Sequence, residues 1–283
     1  MSTDNKNIQV TDEQLKEFAM KQMQEQETRK YDFPTEIVDL PSKGIVYRQG
    51  SELAKGTLEM KYMTAAEEDI LTSPSLIKEG VVLDKLFKAL IVSDISYHEM
   101  LLGDKNAIMV AARVLGYGKD YDFTVTCPKC GESHSDTIDL TKLDDKPLDP
   151  SKVEQLGVNK FKFDLPVSKR TLEFKLMTHG TEKKIEHELK ARKKIMKKTG
   201  VNEELTIRMR NMILSVDGND DLKEIAHFVQ KEFFAQDSRA FRKHVADIQP
   251  DIHMTFDFAC DNCGHEKDDT KIPIDVNFFW PGA

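Results

Sequence analysis

Long apolar segments are absent from this sequence. No run approaches the roughly 20 consecutive apolar residues that a membrane-spanning helix needs, and Asp4 and Lys6 interrupt any secretory signal at the N-terminus. The 283 residues include 39% hydrophobic and 32% charged side chains, a composition typical of a soluble globular protein. We therefore expect no membrane span and a cytosolic compartment, in which thiols stay reduced.

Motifs for nucleotide binding and catalysis are also missing. The chain has neither a Gly-x-Gly-x-x-Gly segment nor a phosphate loop that ends in Gly-Lys-Ser/Thr. His187 and Glu188 begin like a zinc-protease helix, but Ala191 stands where the second histidine would be. His98 and Glu99 are adjacent, whereas zinc deaminases need one residue between them. The sequence therefore predicts a protein that is not an enzyme, with no catalytic residues.

Positive charge is in deficit, with 41 Lys and Arg against 49 Asp and Glu and a net charge of -8. A protein whose main task is to hold nucleic acid needs surplus Lys and Arg, so this balance argues against nucleic acid as the main partner. Residues 183–198 are an exception, because their eight Lys or Arg face only Glu186 and Glu188. A solvated helix face with Ile185 and Leu189 turned inward, an acidic protein partner and nucleic acid all remain open for this run.

The four cysteines form two Cys-x-x-Cys-Gly motifs, Cys127 with Cys130 and Cys260 with Cys263. A gap of two residues lets a tight turn direct both thiolates at one ion, and the following glycine permits the positive φ that such a turn needs. Alternating runs flank each pair, which predicts that each pair lies at the tip of a hairpin. Two such knuckles facing each other make a tetrahedral four-cysteine site of the zinc-ribbon kind.

The metal site that we expect is one structural zinc per chain, held by four thiolates: Cys127, Cys130, Cys260 and Cys263. Iron, a redox role and two isolated reduced pairs remain alternatives, although a redox Cys-x-x-Cys usually begins a helix after a strand. His134 and His265 lie near the knuckles and could bind the ion, but four cysteines already fill a tetrahedron. We expect both histidines to be exposed hairpin residues. A closed four-cysteine site contributes stability rather than catalysis.

The two halves of the chain contain the same short motifs in the same order. Residues 39–43 lead into the alternating segment 57–64 in the first half, and residues 164–169 lead into 171–178 in the second. Thr64, and either Thr178 or Thr181, stand where helix N-caps are expected. Ordered matches of this kind favour an internal duplication. We therefore expect an α+β fold of two pseudo-repeats, each with a small antiparallel sheet and a helical bundle, joined by one shared four-cysteine zinc ribbon.

The repeat continues towards the cysteines. Asp104 and Asp237 precede predicted helices at 107–115 and 240–248, and each lies equally far ahead of the first cysteine of its pair. Apolar residues at helical spacing in 222–229 indicate an extra helix in the second half.

Four segments are predicted along the chain: an N-terminal arm at 1–31, a first repeat with one knuckle at 32–143, a linker at 144–154, and a second repeat with the other knuckle at 155–283. The arm is either disordered or a helix that docks on a partner through Leu15, Phe18 and Met23. The linker is polar and contains Pro147 and Pro150.

Several motifs resemble a phage family. The Asp-Leu-Pro-Ser-Lys-Gly segment at 39–44 with Tyr47, the Leu-Glu-Met strand at 58–60 and the Met-Thr-Ala-Ala-Glu-Glu-Asp helix start at 63–69 are similar to the T-even-type myovirus baseplate proteins, which include hub subunits and hub assembly factors. The resemblance covers roughly residues 33–283, and the segment 165–169 looks like that of the shorter members. The resemblance does not by itself imply the N-terminal arm or the double knuckle.

The resemblance implies a role in building the central hub of a contractile tail baseplate, without catalytic residues. It also implies other baseplate and hub proteins as partners and a location in the host cytoplasm during assembly. Two outcomes remain open after assembly: the protein stays in the tail baseplate of the virion, or it leaves. We therefore expect a non-enzymatic structural or assembly protein that acts through protein–protein contacts. The alternative is a zinc-ribbon protein that binds nucleic acid or has a regulatory role.

Overall fold

A computed structural model of the chain describes residues 33–274 and 278–280, apart from the side chain of Ile195. The predicted N-terminal arm, with Leu15, Phe18 and Met23, lies outside the described residues. From Thr35 onward the described chain packs as one compact unit.

The secondary structure is a mixture of short strands and helices. The strands are β1 (Thr35–Asp39), β2 (Thr57–Lys61), β3 (Asp120–Thr126), β4 (Ser133–Asp139), β5 (Asp145–Lys146), β6 (Phe161–Asp164), β7 (Thr171–Phe174), β8 (Ile213–Val216), β9 (Asp251–Ile252), β10 (Thr255–Ala259) and β11 (Glu266–Lys271). The α-helices are α1 (Ala65–Leu71), α2 (Pro74–Glu79), α3 (Val82–Leu90), α4 (Leu102–Tyr117), α5 (His179–Thr199), α6 (Glu204–Met212), α7 (Leu222–Lys231) and α8 (Ala235–Ile248). Short 3-10 helices cover Glu52–Lys55, Leu140–Lys142 and Pro150–Lys152.

All strand pairs in the described residues are antiparallel, and the sheets are small. The pairs β1–β2, β3–β4, β5–β9 and β10–β11 each form a two-stranded sheet, and β6–β7–β8 form a three-stranded one. The α+β class with small antiparallel sheets is therefore confirmed. The helix expected in 222–229 is α7, and the helices expected at 107–115 and 240–248 are the C-terminal parts of α4 and α8.

Thr64 and Thr178 are the N-caps of two helices, and Thr181 lies inside the second of these helices. At α1, the Glu67 carboxylate accepts hydrogen bonds from the Thr64 backbone N–H (2.9 Å) and the Thr64 hydroxyl (2.6 Å). At α5, the Thr178 hydroxyl oxygen accepts from the backbone N–H of Thr181 at 3.2 Å. These bonds satisfy backbone or hydroxyl groups that would otherwise lack a partner where each helix begins.

In the first half, one buried carboxylate fixes the β1–β2 connection against helix α4. Asp104 lies in the first turn of α4 and is fully buried. It accepts from the backbone N–H of Ser42 at 2.9 Å and from the hydroxyl of Tyr47. The Tyr47 hydroxyl oxygen in turn accepts from the backbone N–H of Leu101 at 2.8 Å, just ahead of the helix. Burial raises the pKa of Asp104, while the hydrogen bonds from Tyr47 and Ser42 act in the opposite direction.

The second half contains the corresponding arrangement. Asp237, in the first turn of α8, is also fully buried. It accepts from the backbone N–H groups of Val167 at 2.7 Å and Ser168 at 3.0 Å, in the turn between β6 and β7. Burial opposes ionisation here as well, but these hydrogen bonds and the charge of Lys169 lower the pKa of Asp237.

Two further details recur in both halves. The backbone N–H groups of Ser42 and Ser168 bind the buried carboxylates, and a lysine follows each serine. Both lysines have a left-handed backbone, with φ 52° at Lys43 and 58° at Lys169. In the first half Ile91, directly after helix α3, pairs with Met60 of β2. In the second half Ile213, directly after helix α6, pairs with Phe174 of β7. One local backbone conformation and one strand pairing therefore recur in both halves.

One hydrophobic core contains buried side chains from both halves. It includes Phe87 and Tyr121 together with Phe161, Phe174 and Phe241. The segment 144–154 also takes part in the packing. Leu148 is 1% exposed, its backbone N–H donates to the Pro41 carbonyl at 3.1 Å, and β5 pairs with β9. The predicted linker is thus folded onto both halves rather than extended between them.

Helix α4 packs directly against backbone of the second half at Gly103. A methyl group at Gly103 would lie 1.8 Å from the carbonyl oxygen of Pro250, a separation that no structure tolerates without a backbone shift. Beside it, the Asn106 amide donates to the Asp251 carboxylate at 2.8 Å. Glycine is needed here for close approach and not for backbone freedom.

We predict that Gly103→Ala destabilises the protein by about 3 kcal/mol because it overpacks a backbone contact. Gly116→Ala in the same helix is the matched control, because the nearest atoms there belong to the flexible Met63 side chain. Alanine is the better helix former by about 1 kcal/mol, so the control variant should be neutral or stabilising. Urea unfolding of both variants measures the difference. Equal stabilities would contradict the packing described here.

Candidate metal centre

Each cysteine pair lies at the tip of a hairpin, as predicted. Strands β3 and β4 pair from Asp120 with Asp139 to Thr126 with Ser133, and the first knuckle joins them. Strands β10 and β11 pair up to Ala259, with a register shift between Phe256 and Phe258, and the second knuckle follows.

The first knuckle is a tight turn closed by two backbone hydrogen bonds. The Gly131 N–H donates to the Cys127 carbonyl at 2.9 Å, and the Cys127 N–H donates to the Glu132 carbonyl at 2.8 Å. Gly131 has φ 76°, a conformation that glycine adopts without steric cost. The turn therefore depends on the glycine that follows each Cys-x-x-Cys.

The second knuckle has the same turn. The Gly264 N–H donates to the Cys260 carbonyl at 2.9 Å, the Cys260 N–H donates to the His265 carbonyl at 2.9 Å, and Gly264 has φ 65°. Identical bonding in both turns presents the two sulfur atoms of each pair in the same way.

The four cysteine sulfur atoms meet at one point. All four lie within 4.8 Å of one another. Cys127 Sγ is 3.8 Å from Cys263 Sγ, and Cys130 Sγ is 3.6 Å from Cys260 Sγ. These separations are far longer than a disulfide bond of about 2.05 Å, and all four cysteines are free thiols. A tetrahedral ion with bonds of about 2.3 Å to sulfur requires sulfur atoms about 3.8 Å apart, so the cluster fits such an ion.

The centre is closed on one side and open to solvent on the other. Cys127 and Cys260 are buried, Cys263 is half-buried and Cys130 is exposed. Phe258 lies beneath the buried pair. Behind it, the rings of Phe123 and Phe256 pack edge to face with centroids 4.9 Å apart and join the two hairpins. Aromatic packing thus aligns the hairpins that carry the cysteines.

The thiols differ widely in their tendency to ionise. Burial opposes ionisation of Cys127, but the backbone N–H groups of Cys130 and Lys129 lower its pKa to about 6. Burial and the neighbouring thiols of Cys260, Cys130 and Cys127 raise the pKa of Cys263 to about 12. A first thiolate therefore forms easily at Cys127, and negative charge in the cluster disfavours ionisation of Cys263. A cation among the four sulfur atoms would remove that opposition, since metal ligation requires thiolates.

His134 was expected to be an exposed hairpin residue, and that expectation was wrong. Its side chain is half-buried, its Nε2 atom lies 3.1 Å from Cys260 Sγ, and its ring packs edge to face on Phe258 with centroids 5.7 Å apart. His265 is likewise half-buried rather than exposed. The sequence position of His134 in β4 gave no signal of this contact, because its partner Cys260 belongs to the other hairpin.

A half-buried polar cluster that was not predicted connects three helices. Asp84 of α3 accepts from Lys105 of α4 at 2.7 Å and forms an ion pair with Lys183 of α5 at 2.9 Å. Burial opposes ionisation of Asp84, but hydrogen bonds from both lysines lower its pKa. Burial and the charge of Lys105 lower the pKa of the neighbouring His179 to about 4, so His179 is neutral at pH 7. The cluster holds the helices together. Its members lie on different helices, so their spacing in the sequence does not predict that they are in contact.

The fold and the centre define a mixed α+β protein with two facing cysteine knuckles. The family described as T4 bacteriophage base plate protein matches residues 35–280, and the chain belongs to that family. The resemblance to T-even-type baseplate proteins is therefore confirmed. No curated protein and no solved structure matches the chain. Among the described residues no helix is long and apolar enough to cross a membrane.

We predict that Cys130→Ser lowers the melting temperature by roughly 10 °C, which corresponds to the loss of a few kcal/mol in a protein of this size. Cys130 is exposed, so its packing is worth little, and a large loss arises only if the sulfur is bound to an ion. Lys129→Ser, exposed in the same turn, is the matched control and should melt within 1–2 °C of wild type, roughly the change expected of surface substitutions. Differential scanning calorimetry under reducing conditions measures both. An unchanged melting temperature for Cys130→Ser would rule out a four-sulfur centre.

Proposed function

We propose that Cys127, Cys130, Cys260 and Cys263 bind one structural zinc ion. Four thiolates are a soft ligand set that suits zinc or iron, and zinc accepts tetrahedral geometry without redox activity. The separations of 3.6 and 3.8 Å between sulfur atoms support a tetrahedral ion. His134 supports the site from outside, because its Nε2–H can donate to the Cys260 thiolate.

The zinc would stabilise the fold and would take no part in catalysis. Four protein ligands leave no coordination position for water or substrate. Zinc binding to small finger peptides is worth roughly 10–16 kcal/mol in apparent free energy, and here the ion would join a hairpin of the first half to a hairpin of the second. Its loss should loosen the two hairpins before it loosens the shared hydrophobic core.

We also propose that the two halves are copies of one unit, with boundaries at 32–143 and 155–283, residues 144–154 between them and an arm at 1–31. The paired carboxylates Asp104 and Asp237, both clamping the turn after the first strand of their half, support this proposal. The left-handed Lys43 and Lys169 support it as well.

The function that we infer is a non-enzymatic structural or assembly role in the hub of a contractile tail baseplate, through contacts with other baseplate and hub proteins. Family membership carries this proposal, and the closed four-cysteine centre agrees with it. The protein would act in the host cytoplasm during assembly and then in, or on the way to, the tail baseplate.

Binding of nucleic acid through the knuckles is the alternative, and the charges around them argue against it. The hairpins are largely acidic near the cysteines, as the exposed Glu132, Asp136, Asp261, Glu266 and Asp268 illustrate. Carboxylates repel the phosphate backbone.

Disruption of the gene in its phage tests the proposed function. We predict that infected cells accumulate heads without complete tails, because baseplates fail to form, and electron microscopy of the lysate shows this directly. Wild-type protein and Lys129→Ser supplied in trans should restore tails, and Cys130→Ser should restore far fewer. Normal tails in the disrupted phage, with altered transcription instead, would favour the nucleic-acid alternative. Mass spectrometry of purified virions then tells a resident subunit from an assembly factor.

A further inference from the structure

Helix α5 presents a row of lysines that no acidic side chain neutralises. The exposed lysines are Lys184, Lys190, Lys193, Lys194, Lys197 and Lys198. Within the part of the chain that the structure describes, none of them forms an ion pair. The row is unusual because the whole chain has a net charge of -8.

The arginines nearby do not share this property. Arg208 pairs with Glu182 at 2.8 Å and with Glu204 at 3.0 Å. Two further pairs link α5 to the start of α6 and to α6 itself: Arg192 with Glu203, and Arg210 with Glu188. Glu182, Glu188, Glu203 and Glu204 are thus paired with arginines, and Glu186 is paired with Lys183. The lysine charges remain available to a partner.

A groove lies beside three of these lysines, where α5 ends and the chain turns towards α6. Its floor is apolar and consists of Leu189, Met196 and Val201, and the last is 60% exposed. Lys190, Lys193 and Lys197 line the groove with their positive charges. Glu204 lines it as well, and its carboxylate is paired with Arg208 at 3.0 Å. The groove is largely open to solvent and has a volume of about 510 Å³.

The helical geometry explains why the lysines lie together. Residues three, four and seven apart share one face of an α-helix, so Lys190, Lys193 and Lys197 form one edge along α5. Gly200 then ends the helix with φ 70°. The chain reverses at this glycine, and Val201 is left beside the lysines with most of its side chain in water.

We propose that this groove binds an acidic, amphipathic segment of a partner protein. Apolar side chains of the segment would cover Leu189, Met196 and Val201, and its carboxylates would pair with the lysines. The groove itself specifies such a partner. Its apolar floor favours apolar anchors, and its unpaired positive charges favour negative charge. The proposal rests on the proposed function only in taking the partner to be a baseplate protein.

Nucleic acid fits the groove less well. Phosphates would meet the lysines but would leave the apolar floor uncovered. Proteins that hold single strands stack bases on aromatic rings, and no aromatic side chain is found among the described residues that line this groove. Lysine also lacks the two-pronged geometry with which arginine grips phosphate.

Fluorescence anisotropy with the full-length protein tests the proposal. The probe is a labelled synthetic helix of about 16 residues with leucines at i, i+3, i+4 and i+7 and glutamates on the flanks, a pattern that places the leucines on one face. A peptide with glutamine in place of glutamate and a 20-base-pair DNA duplex serve as comparison ligands at physiological salt. We expect the glutamate peptide to bind at least about tenfold more tightly than the glutamine peptide, as charge complementarity requires.

Three variants locate the binding site. The triple change Lys190→Glu, Lys193→Glu and Lys197→Glu should weaken binding of the glutamate peptide at least about tenfold. Lys223→Glu, Lys231→Glu and Lys243→Glu change the net charge equally on exposed, unpaired lysines elsewhere, and should change binding less than about twofold. Val201→Ser should weaken binding about threefold through lost apolar contact. Circular dichroism confirms that each variant is folded.

Two results would overturn the proposal. One is a glutamate peptide that fails to bind wild type or binds both triple variants alike. The other is a DNA duplex that binds more tightly than the peptide and is indifferent to Val201→Ser, which would assign the lysines to nucleic acid. Both results are independent of the tail phenotype of the disrupted phage. Failure of this proposal is therefore distinguishable from failure of the proposed function.

Discussion

The meeting of four cysteine sulfur atoms constrains the structure more than any other contact. Two of them come from the β3–β4 hairpin and two from the β10–β11 hairpin, so the two ends of a long chain segment must return to one place. The sulfur atoms are too far apart for disulfides and too close for four independent thiolates. A shared cation resolves both facts, and we propose zinc in that place.

The segments that lead to the two cysteine pairs have several contacts in common. A buried carboxylate, Asp104 in one half and Asp237 in the other, fixes a strand turn to the first turn of a long helix. That helix runs into the strands of the knuckle hairpin. Each half therefore sets the position of its own sulfur pair, and the common core between the halves sets the distance between the pairs. The proposed ion would bind between two cysteine pairs that the fold already holds close together.

Much of this was accessible from the sequence, because the signals were local. Glycine after each Cys-x-x-Cys predicted the turns, alternation predicted the hairpins, and helical spacing predicted α7. What the sequence did not reveal depends on partners far apart along the chain. His134 beside Cys260 and Asp84 between Lys105 and Lys183 are contacts of this kind. The segment 144–154 looked like a linker from its prolines, yet Leu148 is buried in the hydrophobic core that both halves share.

The most direct measurement is X-ray absorption at the zinc edge on protein purified under reducing conditions. We expect one zinc per chain with four sulfur neighbours at about 2.3 Å and no nitrogen neighbour. Because His134 lies so close to Cys260, a nitrogen neighbour is the sharpest contrary result, and it would mean that a histidine displaces a cysteine. Protein without zinc and with four titratable thiols would contradict the central claim outright.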